Sequence, residues 1–469
     1  MTDTIAAIAT GASVSAIGIV RISGPDSLTV ADSIFRAANG VKLKDAKSKL
    51  LYRGELVCAA GLAGSAGSAA DSDVLLDLCL CTVSRAPNSY TGEDTVEFHC
   101  HGSPVVLSEV LQVLFKQGVR QALPGEFTKR AFLNGLLDLT QAEAVIDLIE
   151  AETPAAAQNA AGQLRGQIGK KMDSIYGRLL DITAHFHAVI DYPDEDIDDF
   201  KIKNYLSVLN DIDNELCRIL DTHERGRVLR DGIPAAIVGR VNTGKSSLLN
   251  ALLGYNRAIV TDIPGTTRDT IEEKILIGNI LLRLIDTAGF RKTSDTVEVL
   301  GVERTQAAIS GAGLVIVVLD GTLPLRSEDL DVLRSIPPDT PKIAVVNKSD
   351  LPAVLKPDDL SELGIESCIV SALSGEGLIS LDEEIRKLFH KFNVSTADGD
   401  ILTNTRQAEA IARALAGVRS AEAALTASVT PDAVLTDIES ALSAIGEVTG
   451  KTVRDDIVSR IFERFCVGK

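Results

Sequence analysis

A glycine-rich turn carries the first chemistry that the sequence suggests. Residues 239–246 run Gly-Arg-Val-Asn-Thr-Gly-Lys-Ser and fit the pattern G-x-x-x-x-G-K-[ST], between the apolar run Ile233–Val238 and a helical segment, Ser247–Leu253. The glycines let backbone N–H groups face phosphates, and the following helix adds its positive N-terminal end. We expect Lys245 to pair with the β- and γ-phosphates as a catalytic residue, and the Ser246 hydroxyl to coordinate magnesium.

Two further motifs each follow an apolar run. Asp286-Thr-Ala-Gly289 is one; Asp286 would hold magnesium through a water, and the Gly289 N–H would sense the γ-phosphate. Asn347-Lys-Ser-Asp350 is the other. The Asp350 carboxylate would accept hydrogen bonds from the N1–H and exocyclic amine of guanine, a match that adenine does not offer. The sequence therefore predicts GTP rather than ATP.

Loop residues complete the predicted nucleotide site. Gly265-Thr-Thr-Arg-Asp269 lies where a switch loop belongs, and Thr267 is its candidate magnesium ligand. Ser371-Ala-Leu373 would close over the guanine carbonyl. The residues predicted to contact GTP are Asn242, Thr243, Gly244, Lys245, Ser246, Ser247, Thr261, Asp262, Ile263, Pro264, Gly265, Thr266, Thr267, Asp286, Thr287, Ala288, Gly289, Asn347, Lys348, Asp350, Ser371 and Ala372.

The residue that orients the attacking water is not evident from the motifs. Ras-like enzymes place a glutamine after the Asp-Thr-Ala-Gly motif, whereas this chain has Phe290, which cannot orient water. The nearby acidic candidates are Asp295 and Glu298. Arg268 and Arg291 are candidate arginine fingers, although surface arginines are common in switch loops. A monovalent cation could supply the missing positive charge instead.

The elements that must position these motifs alternate between strand and helix. The apolar runs Ile233–Val238, Ile280–Ile285, Leu314–Leu319 and Ile343–Val346 each precede a loop and a helical segment, which predicts a parallel sheet covered by helices. Nearer the N-terminus, short strands mix with helices. The strands expected there are Ile17–Ile22, Leu75–Val83 and Thr95–Cys100, with Ala59–Ser72 as a loose hairpin loop.

Helical periodicity flanks the alternating region on both sides. Before it, Thr140 with Glu143 has the form of a capping box that would begin one helix. After it, one apolar stripe contains Ile411, Ala412, Leu415 and Val418, and another runs from Val434 to Ile445 and is closed by Gly446. Since this tail is short for a core of its own, we expect it to pack against the earlier helices.

The fold class that we predict is therefore multidomain, α/β plus all-α. It consists of an N-terminal α+β domain over residues 1–119, a discontinuous helical domain over residues 120–225 and 391–469, and an inserted Ras-like P-loop GTPase domain over residues 226–390.

Composition narrows the functional classes. The formal net charge of −18 disfavours broad, non-specific binding of nucleic acid. Seven cysteines at irregular spacing favour a reducing compartment over a disulfide framework. The apolar runs are too short to cross a bilayer, and the N-terminus has no basic secretory region. We expect a cytoplasmic protein with no membrane association.

Motifs outside the nucleotide site make the sequence resemble one family, the tRNA-modification GTPases MnmE, also called TrmE. The resemblance extends over the whole chain. It is carried by Gly18-Ile-Val-Arg21-Ile-Ser-Gly-Pro25, Tyr90-Thr-Gly-Glu-Asp94, Pro124-Gly-Glu-Phe-Thr128, Arg130-Ala-Phe-Leu-Asn-Gly135, Asp138-Leu-Thr-Gln-Ala-Glu143, Asn404-Thr-Arg-Gln407 and Phe465-Cys-Val-Gly-Lys469.

The resemblance implies a specific reaction. Members of the family form homodimers through the N-terminal domain and act with a flavin protein, MnmG, in a heterotetramer-type complex. Together they add an aminomethyl or carboxymethylaminomethyl group to C5 of the wobble uridine in certain tRNAs. A tetrahydrofolate derivative, in the 5-formyl or methylene form, supplies the one-carbon unit. Potassium binding makes the GTPase domains dimerise, and GTP hydrolysis is needed for modification.

Individual residues match family positions. Asn242 matches the asparagine that binds potassium, and a loop completes the cage of the ion through Thr261, Ile263 and Thr266. Glu298 matches the catalytic glutamate that positions the attacking water through a second water. Arg21, Glu97 and Lys469 match folate-binding positions.

The chain departs from the family pattern at Leu136, where a lysine is usual, so one cationic folate contact is missing. Cys466 matches the terminal cysteine of the family and is a candidate reactive thiol, although it could equally be a small packed residue that positions Lys469. His99-Cys100-His101 is a weak metal pattern because no second ligand pair has suitable spacing. Cys79 and Cys81 are interpreted as strand residues.

A second function remains open on the nucleotide motifs alone. A ribosome-assembly GTPase of the Era type would act as a binding switch with no part in modification chemistry. Such a protein would carry a compact module rich in lysine and arginine beside the GTPase domain. The flanks here are acidic or helical, which favours the modification enzyme.

Overall fold

The computed structural model describes most of the chain. The described residues are 3–11, 13–58, 73–191, 199–256, 273–277, 280–285, 306–389, 399–427, 429–463 and 465–468. They form two compact units, one made of Met1–Ile146, Gly169–Tyr176 and Ser443–Lys469, and the other of Asp147–Ile168 and Gly177–Leu442. Within these ranges, no helix is long and apolar enough to span a membrane.

The first unit is built around a sheet of mostly antiparallel strands in the order β3-β4-β5-β6-β2-β1-β7, in which β1 and β7 pair in parallel. The strands are β1 (Ile5–Ile8), β2 (Ser15–Ser23), β3 (Phe35–Ala37), β4 (Leu51–Cys58), β5 (Val74–Ser84), β6 (Thr95–Gly102) and β7 (Arg120–Gln121). The three strands expected from the sequence are confirmed as β2, β5 and β6. Ala59–Ser72 lies outside the described residues, and the strands on either side of it pair antiparallel.

Alternation along these strands separates a buried face of the sheet from an open one. Val20, Val96 and Phe98 face a core that also contains Leu107 and Val110 of the following helix. Their neighbours along the chain, including Arg21 and Glu97, are partly exposed on the other face. A period of two residues places successive side chains on opposite faces, so the sequence pattern alone sets this arrangement.

The helices connect and cover the sheets, and they account for most of the remaining described residues. They are α1 (Ser27–Ile34), α2 (Pro104–Lys116), α3 (Glu126–Leu133), α4 (Leu139–Ile149), α5 (Pro154–Leu164), α6 (Gln167–Asp191), α7 (Asp199–Leu220), α8 (His223–Asp231), α9 (Lys245–Asn256), α10 (Ser327–Ser335), α11 (Pro357–Ser361), α12 (Leu378–Leu388), α13 (Thr405–Thr426), α14 (Pro431–Thr449) and α15 (Asp455–Phe462). A short 3-10 turn occupies Leu43–Asp45.

The capping box expected at Thr140 and Glu143 is wrong by two residues. Asp138 Oδ1 accepts a hydrogen bond from the Gln141 N–H at 2.8 Å, and the Asp138 N–H donates to Gln141 Oε1 at 3.0 Å. Asp138 and Gln141 thus cap α4 reciprocally. Thr140 lies inside the first turn, where its hydroxyl donates to Asp138 Oδ1.

The second unit contains the predicted parallel sheet. Its strands are β8 (Ile233–Val238), β9 (Glu273–Ile277), β10 (Ile280–Leu284), β11 (Leu314–Asp320), β12 (Lys342–Asn347) and β13 (Ser367–Val370). Their order is β13-β12-β11-β8-β10-β9, and the pairs are parallel except for the hairpin of β10 with β9. Because both faces are covered, β11 is buried along its whole length. The sequence predicted β8, β10, β11 and β12 and missed the two edge strands, β9 and β13.

Helices on either side of this sheet in the sequence pack together in the second unit. In α7, Leu209, Ile212 and Leu216 are fully buried, and Arg419 of α13 bonds to Asp213 of α7 at 2.5 Å. Ala412 is exposed, and Ala414 occupies the buried stripe of α13 instead.

The expected end of α14 at Gly446 is also wrong. The helix continues to Thr449, and Gly450 follows with a φ of +91°. The Lys451 N–H donates back to the Gly446 carbonyl at 2.8 Å, as at many glycine-terminated helices.

Candidate guanine nucleotide site

The phosphate loop connects β8 to α9 at the carboxyl edge of the parallel sheet. Gly239, Asn242 and Gly244 adopt φ values of +144°, +67° and +95°, which glycine tolerates and asparagine visits occasionally. A Cβ atom on Gly239 would lie 2.3 Å from the Val318 carbonyl oxygen. Both glycines of the motif are therefore required by backbone conformation and by close packing, and the loop can present its N–H groups to an anion.

Lys245 folds back over the phosphate loop. Its Nζ donates to the carbonyl oxygens of Gly239 at 2.8 Å and Arg240 at 2.6 Å. Burial lowers the pKa of Lys245, because the charged form loses water. The ammonium group is thus held at the loop by two carbonyl groups that a phosphate oxygen could replace.

Asn347 joins the phosphate loop to the loop predicted to contact the base. This side chain is 2% exposed. Its Nδ2 donates to the Thr243 carbonyl oxygen at 2.9 Å, and its Oδ1 accepts from the Ala372 N–H at 3.0 Å. A Cβ atom on Gly244 would lie 2.1 Å from Asn347 Nδ2, so the amide packs directly against the loop.

The residues predicted to contact the base are held by hydrogen bonds to one another. The Ser371 hydroxyl donates to Asp350 Oδ1 at 2.7 Å and accepts from the Ser374 N–H at 3.2 Å. Asp350 itself is exposed. Since one of its oxygens is fixed by Ser371, the carboxylate is oriented while keeping acceptor capacity for a guanine edge.

Two acidic residues at this site were not predicted from the sequence. Asp320 bonds to Lys348 Nζ at 2.6 Å, and Asp329 bonds to Arg240 Nε at 2.6 Å. Asp320 ends β11 at the carboxyl edge of the sheet, a position that could have identified it. Asp329 lies on α10, and no motif distinguishes it from the other acids there.

The remaining predicted nucleotide and cation residues lie outside the described part of the chain. They are Thr261, Asp262, Ile263, Pro264, Gly265, Thr266, Thr267, Asp286, Thr287, Ala288, Gly289 and Glu298, together with Arg268, Phe290, Arg291 and Asp295. Of the others, Asn242, Ser246 and Ser247 are exposed at the loop and the first turn of α9.

In the first unit, Arg21 and Glu97 face each other across β2 and β6. Arg21 Nε donates to Glu97 Oε1 at 2.7 Å. The Arg21 guanidinium lies over the rings of Tyr90 and Phe127, with centroid distances of 5.2 Å and 5.5 Å. The two residues predicted to bind folate are therefore adjacent, beside two aromatic rings.

A buried arginine joins the motifs that flank this pair. Arg130 is 1% exposed and donates to Glu93 Oε2 at 2.9 Å and Glu126 Oε1 at 3.0 Å. Burial alone would raise the pKa of Glu126, but hydrogen bonds from Arg120, the Leu123 N–H and Arg130 outweigh it and hold that pKa below its ordinary value. The Tyr90–Asp94, Pro124–Thr128 and Arg130–Gly135 motifs thus converge in one network.

The C-terminal end also lies in this region of the first unit. Val467 pairs with Pro124 in an isolated antiparallel bridge, and the Gly125 N–H donates to the Cys466 carbonyl oxygen at 3.3 Å. The Cys466 side chain is exposed, so it is not a packed residue. Lys469 lies outside the described residues. Leu136 is 41% exposed, near Gly92 of the Tyr90–Asp94 motif.

Two histidines of the sheet lie beside carboxylates, and two of its cysteines lie beside each other. His99 Nε2 lies 3.5 Å from Glu97 Oε2, and His101 Nδ1 lies 2.7 Å from Asp77 Oδ1. A hydrogen bond with the Cys100 thiol, together with burial, raises the pKa of Cys79. Among the residues with described positions, no group of three or more His, Cys, Asp or Glu side chains could hold a metal ion.

Two models of protein-family domains together match nearly the whole chain. Residues 139–466 match the model of the MnmE helical domain, and residues 4–136 match the model of the GTP-binding protein TrmE N-terminus. The tRNA modification GTPase MnmE of Thermoanaerobacter pseudethanolicus is 40% identical over 100% of this chain and 99% of its own length. Its counterpart in Symbiobacterium thermophilum is 42% identical over the same shares.

The chain belongs to the tRNA modification GTPase MnmE family. The resemblance seen in the sequence is thereby confirmed, and the chain is a GTPase, for which GTP is the nucleotide. The alternative of an Era-type ribosome-assembly switch is set aside because relatives of the whole chain are tRNA modification GTPases.

Two solved structures that are similar to part of this chain each cover about one third of it. The G domain of the T. maritima FeoB iron transporter is 25% identical, with a TM-score of 0.25, over 34% of this chain and 99% of that one. Era in complex with MgGDPNP and a 16S ribosomal RNA segment is 30% identical, with a TM-score of 0.27, over 33% of this chain and 56% of that one.

Proposed function

We propose that this chain hydrolyses GTP to drive modification of C5 of the wobble uridine in tRNA. The group installed is aminomethyl or carboxymethylaminomethyl, and a tetrahydrofolate derivative in the 5-formyl or methylene form supplies its one-carbon unit. The observation that carries the proposal is the buried Asn347, which joins the phosphate loop to the base-recognition loop in a chain of this family.

Within the nucleotide site, each of the following residues has a defined task. Lys245 exchanges the carbonyl groups of Gly239 and Arg240 for the β- and γ-phosphates, while the N–H groups of the loop hold the phosphate chain. Asp350, oriented by Ser371, selects guanine. Glu298 positions the attacking water, the task that Phe290 cannot perform.

Two cations suit the oxygen donors of the loop. The exposed Ser246 hydroxyl begins α9 beside the phosphate loop, and with Thr267 and Asp286 it would hold magnesium. The exposed Asn242 side chain offers an amide oxygen for potassium, with Thr261, Ile263 and Thr266 completing the cage. Bound potassium would supply positive charge where other GTPases use an arginine finger.

The N-terminal sheet offers a folate pocket of suitable chemistry. Glu97 could accept hydrogen bonds from pterin amino groups, while Arg21 and Lys469 could pair with carboxylates. The Tyr90 and Phe127 rings beside Arg21 suit a flat heterocycle. Leu136 adds no cation, so the affinity for the carboxylates of folate is lower than with a lysine at this position. Cys466, exposed near this region, is the candidate reactive thiol.

The proposed partners are a second copy of the chain, the flavin protein MnmG and tRNA. Ile17, Leu78 and Leu80 are 59%, 52% and 39% exposed on the open face of the N-terminal sheet, which supports a homodimer through this domain. A net charge of −18 repels tRNA, so the flavin protein would provide much of the contact with tRNA.

Hydrolysis in matched salts tests the cation-dependent mechanism. GTP turnover by the purified protein is measured in potassium chloride and in sodium chloride at equal ionic strength. We expect strong activation by potassium alone, loss of that activation in Asn242→Ala, and loss of hydrolysis with retained GTP binding in Glu298→Ala. Equal, slow turnover in both salts would exclude potassium dependence and leave only the GTPase assignment.

A further inference from the structure

A buried acid on α10 contacts the phosphate loop although it belongs to none of the nucleotide motifs. The Asp329 side chain is 3% exposed, and its Oδ1 accepts a hydrogen bond from Arg240 Nε at 2.6 Å. Its Oδ2 accepts from the Arg326 N–H at 3.1 Å, which closes the first turn of α10. A carboxylate this deeply buried is stable only when paired, so α10 is firmly attached to the loop.

Arg240, the partner of this acid, is also bonded at its backbone. Its carbonyl oxygen accepts hydrogen bonds from Lys245 Nζ at 2.6 Å and from the Thr243 hydroxyl at 3.0 Å. The side chain held by Asp329 and the carbonyl held by Lys245 therefore belong to one residue. A shift of the Arg240 side chain would move the carbonyl that positions the lysine.

We propose that Asp329 is a positioning residue of the nucleotide site, which acts through Arg240 to hold the phosphate loop in its anion-binding conformation. The Arg240 guanidinium is engaged by Asp329 and serves as a strut rather than as a phosphate ligand. Preorganisation of this kind lowers the ordering cost when a nucleotide binds.

A second acid supports this role, and it lies on the segment that connects β11 to α10. Asp320, at the end of β11, bonds to Lys348 of the base-recognition motif at 2.6 Å and accepts from the Thr322 hydroxyl at 2.6 Å. The segment from Asp320 to Asp329 is thus tied at one end to the base-recognition loop and at the other to the phosphate loop. It sets the spacing between the two halves of the site.

A double-mutant cycle tests the inference, which rests on the nucleotide site of the proposed function. The variants are Asp329→Asn, Arg240→Gln and both together, with Asp331→Asn as the control. Asp331 also lies on α10, but its side chain is 73% exposed. Its ion pair with Arg334 is long, at 3.8 Å. The affinity and dissociation rate of a fluorescent GDP analogue are measured at a temperature at which circular dichroism shows every variant folded.

We expect each single variant to weaken GDP binding about tenfold, the size of one charge-assisted hydrogen bond. The double variant should bind about as weakly as either single variant, because both changes break the same link. Asp331→Asn should bind like the unmodified chain.

Several results would overturn the inference. They are unchanged GDP affinity in Asp329→Asn, or a double variant about a hundredfold weaker, which would mean that the two residues act independently. If Asp329→Asn does not fold, Arg240→Gln decides, because it leaves the bond from Asp329 to the Arg326 N–H intact; unchanged affinity there refutes the strut. Failure of the unmodified chain to bind GDP would instead refute the proposed function.

Discussion

Asn347 illustrates at the residue scale how one buried amide unites motifs that are far apart in sequence. It bonds to Thr243, which lies 104 positions earlier, and to Ala372, which lies 25 positions later. The sequence predicted all three residues as nucleotide contacts because each lies in a motif typical of nucleotide-binding loops. Their direct bonding could not be predicted, since side-chain partners depend on the packing of loops rather than on spacing.

Replacement of this amide should weaken the fold and the site together. In Asn347→Ala, the Thr243 carbonyl and the Ala372 N–H lose their partner in a buried place, at a cost of about 3 kcal/mol. Urea unfolding should show this decrease in the free energy of unfolding. The affinity for GDP should fall more than tenfold. Asn250→Ala, an exposed change on α9, should match the unmodified chain in both measurements.

Glu126 gives a prediction that depends on pH. Its pKa is below the ordinary value in the folded state, so its stabilisation is complete above about pH 4.3 and is lost as the pH falls through the folded pKa. At pH 7, Glu126→Gln should lower the free energy of unfolding by about 3 kcal/mol, because Arg130 stays buried with one fewer carboxylate. Urea unfolding at several pH values should show this difference shrinking below about pH 4. A constant difference would exclude the ionic explanation, and the exposed Glu109→Gln should change little at any pH.

At the scale of elements, local signals predicted which segments form and erred on where they begin and end. The strands β8, β10, β11 and β12 matched because continuous apolar runs mark buried parallel strands, whereas the edge strands β9 and β13 were missed. The start of α4 was assigned to Thr140 and the end of α14 to Gly446. Several residues nearby could cap these helices. In the structure, α4 is capped by Asp138, and Gly450 follows the end of α14 with a positive φ. The domain boundaries from the sequence stay a prediction.

Two glycines, one in the loop between β8 and α9 and one inside α9, offer a matched pair of substitutions. Gly244→Ala puts a Cβ atom 2.1 Å from Asn347 Nδ2 at a φ of +95°, so we expect GDP binding to fall below detection. Gly254→Ala lies inside α9 with nothing within 4 Å of the new atom. It should raise the free energy of unfolding by roughly 0.5–1 kcal/mol, because alanine favours helix. Normal GDP titration of Gly244→Ala would contradict the close packing of the loop.

At the scale of the whole molecule, the sequence predicted the family, since short motifs from Gly18 to Lys469 all matched it. The sequence did not predict that three of those motifs meet at Arg130, because a buried arginine cannot be told from a surface one by composition. The predicted nucleotide residues and the predicted folate residues lie in separate compact units. Modification of tRNA should require both, whereas hydrolysis of GTP requires only the first.

The most direct test of the central claim is the nucleoside composition of tRNA from cells that lack their own gene of this family. The unmodified chain and Gly244→Ala are each expressed there, and C5-modified wobble uridine is quantified by mass spectrometry. We predict that the unmodified chain restores the modified nucleoside and that Gly244→Ala, present at equal abundance, does not. Equal restoration by both would contradict the claim that nucleotide binding at this site drives the modification.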